Sequence, residues 1–121
     1  MWRRCEWMAI RPVPHIIIET DAATAAKLDT KQLVGDLHIT LAAQDTVNKS
    51  SIKTRLHIAE VSMAGEDEVP GFIAVLVKLL PGRTETLKAH MAEALLGVVK
   101  NVVSPDVSAS VEIVELGVYR K

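Results

Sequence analysis

Two β-α-β units in tandem, folded into one four-stranded mixed sheet with two helices on one face, form the α/β (α+β) architecture this chain predicts. Three observations lead there. Two almost unbroken apolar, β-branched runs, residues 15–20 and 72–80, open two similar halves. Each run is followed by a helical pattern that carries its own start signal. Each helix is followed by a strand whose apolar pairs change phase part-way. Recurrence of a whole strand–helix–strand plan within 121 residues favours duplication over one irregular domain.

Residues 15–20 read as a strand because Ile16, Ile17 and Ile18 suit a pleated, buried surface. The Ala-rich stretch 21–28 is a short helical turn or a lead-in loop. Asp29, with Gln32 three residues on, has capping-box spacing. Leu33, Val34, Leu37 and Leu41 then recur at helical spacing and form the buried face. Asn48-Lys49-Ser50-Ser51 breaks the chain before a second strand at 53–63. After the acidic loop Gly65-Glu66-Asp67-Glu68-Val69-Pro70-Gly71 the plan repeats with the strand at 72–80 and a turn at Pro81-Gly82. Thr84 and Glu85 open a helix at its anion-favouring end. Leu87, Met91, Ala94, Leu95, Val98 and Val102 lie along its buried face, and Ser104-Pro105-Asp106 stops it. Residues 109–118 make the last strand. Leu56 and Ile58, then Val61 and Met63, match Val111 and Ile113, then Leu116 and Val118. The shared change of phase predicts a bulge at the same place in both return strands.

Right-handed crossovers put both helices on one side of such a sheet. The first and third strands are nevertheless apolar on both faces, as in doubly covered sheets. A partner subunit is the simplest cover for the second face, so the pattern predicts an oligomer.

Composition narrows the function classes. The chain has 24% charged residues and a formal net charge of −1, which argues against nucleic-acid binding. No apolar run approaches the ~20 residues of a membrane span. One cysteine, Cys5, precludes an internal disulfide and suits a reducing cytoplasm. His15, His38, His57 and His90 are dispersed without metal-ligand spacing, and no glycine-rich phosphate loop occurs.

Residues 1–13 differ in character from the rest: they hold both tryptophans, the only cysteine and three of the six arginines. They read as a docking arm, a cloning remnant, or sequence upstream of the true start. The last is favoured because Val13 fits an alternative start codon. The point matters because Pro14 follows. A proline nitrogen at a chain terminus is a secondary amine and a candidate general base; joined to Val13 it is an amide with no basic lone pair.

Among the cations, Lys53 and Arg55 are two apart at the start of a strand and so share one face. Arg83 stands at a turn-to-helix junction, where backbone N–H groups also attract anions.

Residues 14–116 resemble the tautomerase superfamily, specifically the 5-carboxymethyl-2-hydroxymuconate Δ-isomerase family. The matching pieces are Pro14-His15-Ile16-Ile17-Ile18-Glu19, Ile52-Lys53-Thr54-Arg55-Leu56-His57 and Gly82-Arg83-Thr84, in order and with fitting intervals. The resemblance implies a tautomerase-like homotrimer and a catalytic amino-terminal proline, which is Pro14 here. It implies that Lys53, Arg55 and Arg83 bind substrate carboxylates, with Lys53 and Arg83 assisting catalysis. Lys53 departs from the family's arginine, keeping charge but losing a bidentate fork. The implied reaction is a cofactor-independent shift of a double bond in a small unsaturated polycarboxylate from aromatic-compound breakdown. The alternative is a non-catalytic trimeric binding or assembly protein with Pro14 blocked by the extension.

Overall fold

The computed structural model describes residues 14–66 and 71–118, so the segment 1–13 lies outside the described residues. In chain order the elements are β1 (His15–Asp21), α1 (Ala22–Ala26), α2 (Thr30–Ala42), β2 (Lys53–Ala59), β3 (Phe72–Leu79), α3 (Glu85–Lys100) and β4 (Ser108–Glu115). A single 3-10 turn, Lys49–Ser51, leads into β2. The strand order is β2-β1-β3-β4. β1 runs parallel to β2 and antiparallel to β3, and β3 runs parallel to β4. This is the expected mixed sheet of two β-α-β units joined through the central β1–β3 pair.

Alternation along the strands decides which side chains meet the helices. Ile16 and Ile18 of β1 and Ile73, Val75, Val77 and Leu79 of β3 are buried. They pack with Leu33, Leu37 and Leu41 of α2 and with Met91, Leu95 and Val99 of α3 in one aliphatic core. Both main helices therefore lie over one face. The other face carries His15, Ile17 and Glu19 of β1 and Phe72, Ala74, Leu76 and Lys78 of β3. Its apolar members are only half-buried.

The Ala-rich stretch takes the helical one of its two expected forms, a third helix among the described residues, because the Asp21 side chain caps it by accepting from the Thr24 N–H. Other expectations need correction. At Asp29 the cap forms, but the box does not close: the Gln32 side-chain amide donates to Asp36 instead. Val102 lies beyond the end of α3 and is 44% exposed. The return strands are shorter than their apolar patterns, ending at Ala59 and Glu115, so the predicted bulges do not form within them. β1 ends at Asp21, opposite Ala59, and β3 ends at Leu79, opposite Glu115. Past those pairs the registers end, and the Leu116 N–H, donating to the Leu79 carbonyl at 2.8 Å, closes the β3–β4 ladder. Val61, Met63 and Val118 consequently stand exposed.

Candidate active site

Pro14 immediately precedes β1 and is buried. Lacking an N–H, proline is tolerated at the mouth of a strand, where no ladder donor is required of it. Its carbonyl accepts a 3.1 Å hydrogen bond from the Lys53 N–H, which fixes it beside the first residue of β2. The next residue, His15, pairs with Lys53 on one side and with Lys78 on the other. The start of β1, the start of β2 and the end of β3 thus form one end of the sheet.

Arg83 borders the same end, in the connection between β3 and α3. Its Nε donates to Thr46 Oγ1 at 3.1 Å, Nη2 to the Thr46 carbonyl at 2.8 Å, and Nη1 to the Leu80 carbonyl at 3.3 Å. The half-buried guanidinium therefore braces the loop before β2 against the turn after β3. Gly82 supplies the positive φ of 124° that this turn requires, and Thr84 caps α3 directly behind the arginine.

Arg55 lies two residues along β2 from Lys53 and shares its face. It is turned towards β1, where Nη1 donates to His15 Nδ1 at 2.9 Å. Arginine only donates, so His15 accepts at Nδ1 and carries its own proton on Nε2. Pro14, Lys53 and Arg83 are thus gathered at one sheet end, while Arg55 is engaged one step further in. His15, Thr46 and Lys78 were not singled out by the sequence. The available signals were a histidine directly after the proline and a lysine interrupting the apolar run of β3.

The remaining histidines lie elsewhere. His38 meets Thr54 Oγ1 at 2.7 Å between α2 and β2, and His57 and His90 are exposed. Among the described residues, no group of three or more His, Cys, Asp or Glu side chains could hold a metal ion. Two cavities sit at the opposite end of the sheet. One, of about 180 Å³, is bordered by Thr24, Leu28, Val102 and Asp106; the other, of about 560 Å³, is bordered by Lys100, Pro105 and Ser108. Neither includes a residue from the Pro14 end.

A sequence profile for 5-carboxymethyl-2-hydroxymuconate isomerase matches residues 14–117. The chain belongs to the 5-carboxymethyl-2-hydroxymuconate isomerase family. It is accordingly an isomerase. Among solved structures, it is similar to a 5-carboxymethyl-2-hydroxymuconate isomerase from Deinococcus radiodurans R1. The TM-score is 0.77 at 23% identity, covering 89% of this chain and 88% of that one. It is also similar to a 5-carboxymethyl-2-hydroxymuconate delta-isomerase, with a TM-score of 0.80 at 15% identity and coverage of 94% and 90%. A fused 4-OT symmetric trimer aligns with a TM-score of 0.69 at 16% identity, covering 84% and 86%. These likenesses establish a shared tautomerase-type fold for the family member described here. A comparison with curated proteins returns no match.

Proposed function

We propose that this isomerase moves a double bond in a small, acyclic, unsaturated polycarboxylate of the 5-carboxymethyl-2-hydroxymuconate kind. It converts a dienol to a conjugated ketone, works as a cytoplasmic homotrimer, and uses a chain that begins at Pro14. The observation that carries this reading is the seat of Pro14. Its carbonyl is bound to the Lys53 amide at the sheet end that Arg83 borders. The start of the family match at residue 14 supports it.

With its nitrogen at the terminus, the proline is a secondary amine. The neutral amine takes the proton from the dienol oxygen, and the electrons of that O–H bond form the carbonyl. The diene electrons shift along the chain, and the ammonium returns its proton to carbon as the new C–H bond forms. Proton and electron counts balance without an oxidant or reductant. Nearby cations disfavour the protonated amine. Lys53 and Arg83 serve that purpose, offer charge to the substrate carboxylates, and stabilise the developing enolate. Arg55 adds a further cation on the same strand face as Lys53.

In the form beginning at residue 14, Pro14→Ala is expected to lower kcat/KM for the dienol by about 10²–10⁴-fold, the usual worth of a positioned acid–base group. Its assembly, read by analytical ultracentrifugation, is expected to stay unchanged. Equal turnover by the variant would remove Pro14 from the mechanism. One observation favours a second reading: Arg83 already makes three hydrogen bonds within the protein. In that reading the chain with residues 1–13 attached is a non-catalytic trimeric binding protein. Isomerase activity in the full-length chain would exclude it.

A further inference from the structure

One residue builds most of the seat of Arg83. The Nε–H and one Nη2–H point the same way from the planar guanidinium. Both go to Thr46, whose hydroxyl oxygen accepts at 3.1 Å and whose carbonyl accepts at 2.8 Å. Nη1 donates to the Leu80 carbonyl at 3.3 Å. Two parallel contacts fix the plane of a guanidinium, whereas one alone acts as a hinge.

Thr46 is itself held. Val47, the next residue, is buried in the core, and its N–H donates to the Gln44 carbonyl at 3.1 Å. Asn48 caps the turn Lys49–Ser51 by accepting from the Ser50 N–H at 3.2 Å and the Ser50 hydroxyl at 2.9 Å. Ser51 and Ile52 are buried, and the Lys53 N–H then reaches the Pro14 carbonyl. Residues 46–53 thus form one anchored segment, with Arg83 bound at its start and Pro14 at its end. The Thr46 side chain is exposed and outside the aliphatic core, so core packing gives no reason for its hydroxyl.

We infer that Thr46 is a positioning residue: it fixes the plane of the Arg83 guanidinium relative to Pro14, so that the cation meets the substrate already oriented. Such preorganisation spares reorganisation during the reaction. The inference deepens the proposed function and rests on its placement of Arg83 in the site. It also gives the three hydrogen bonds of Arg83 a purpose, because they orient the group for chemistry.

The test combines arginine NMR with a double-mutant cycle, on the full chain and on the form beginning at Pro14. The Arg83 Nε–H resonance is identified by its loss in Arg83→Ala. In Thr46→Val, which keeps the side-chain shape without the hydroxyl, that N–H is expected to exchange with water about 3–10-fold faster. Turnover of 5-carboxymethyl-2-hydroxymuconate, read as kcat/KM, should fall by about 3–10-fold, the range that one net hydrogen bond spans. Thr46→Ser should recover both. In an Arg83→Ala background Thr46→Val should cost nothing further, because a residue acting through another has no effect once that other is gone. If Thr46→Val does not fold, Thr46→Ala is held to the same expectations.

Three results would overturn the inference: unchanged Nε–H exchange, unchanged kcat/KM, or an equal loss with and without Arg83, which marks a merely structural threonine. Unchanged kcat/KM in Thr46→Val beside a dead Pro14→Ala would leave the amine mechanism standing. The expected cycle alongside turnover indifferent to Pro14 would sink the amine mechanism alone.

Discussion

Asp21 organises the sheet end opposite Pro14. It is buried, and its carboxylate accepts hydrogen bonds from the Thr24 hydroxyl, the Thr24 N–H and the Phe72 N–H. Gly71 passes so close that a Cβ there would collide with the Asp21 and Thr24 side chains, and its φ of 126° also suits only glycine. Burial acts to raise the Asp21 pKa, but the hydrogen bonds from Thr24 and Phe72 outweigh it and hold the group at about 2. A carboxyl whose folded-state pKa is depressed contributes stability that is complete above its unfolded pKa and lost as pH falls. Urea unfolding is therefore expected to show this contribution intact above about pH 4 and disappearing between about pH 4 and pH 2. Asp21→Ala leaves two backbone donors without their acceptor and should lower stability at pH 7 by about 1–3 kcal/mol. It should also flatten the acid limb. An acid limb as steep as that of the unaltered protein would show that Asp21 does not carry it.

At the scale of elements, helix starts were more legible than strand ends. Thr84 accepts from the Leu87 N–H at 3.1 Å, Glu85 occupies the first turn of α3, and Lys100 the last. These charges favour the helix dipole. Lys88 adds a link from α3 to β4 through Glu115 at 3.4 Å. Because Thr84 follows Arg83, the cap also settles where the guanidinium begins its reach to Thr46. Thr84→Ala should cost about 1 kcal/mol of stability in thermal or urea unfolding, with Thr84→Ser near neutral. An unchanged midpoint for the alanine variant would show that the cap adds nothing. The apolar alternation of residues 61–63 and 116–118 looks like continuing strand, yet pairing stops at Ala59 and Glu115. A local pattern records which side chains are apolar, not how far the neighbouring strand extends.

Across the whole molecule, one sheet face is closed by α2 and α3 while the other keeps Ile17, Phe72, Ala74, Leu76 and Val114 half-buried. A contiguous apolar patch on a sheet face calls for a cover, and further copies of this chain provide one in the proposed homotrimer. Leu76→Glu places a charge at the centre of that face, opposite Ile17. The variant is expected to sediment as a smaller species while keeping its helical circular dichroism, because Leu76 lies outside the α2–α3 core. An assembly state identical to that of the unaltered protein would remove this face from the interface.

The sequence by itself determined the duplicated strand–helix–strand plan, because hydrophobic period and capping residues are local properties that fix type and order together. Ile16 with Ile18 and Leu33 with Leu37 and Leu41 already name the core. Through the resemblance of three short motifs to those of the family, it also pointed to Pro14, Lys53, Arg55 and Arg83. Only the tertiary structure decided what these side chains touch. The parallel β1–β2 register sets the Lys53 amide on the Pro14 carbonyl, and the central antiparallel pair brings Lys78, distant in sequence, beside His15. Arg83 finds Thr46 in a loop 37 residues away. Such contacts depend on strand register and loop closure, which arise from packing the whole sheet and are not encoded in any one segment.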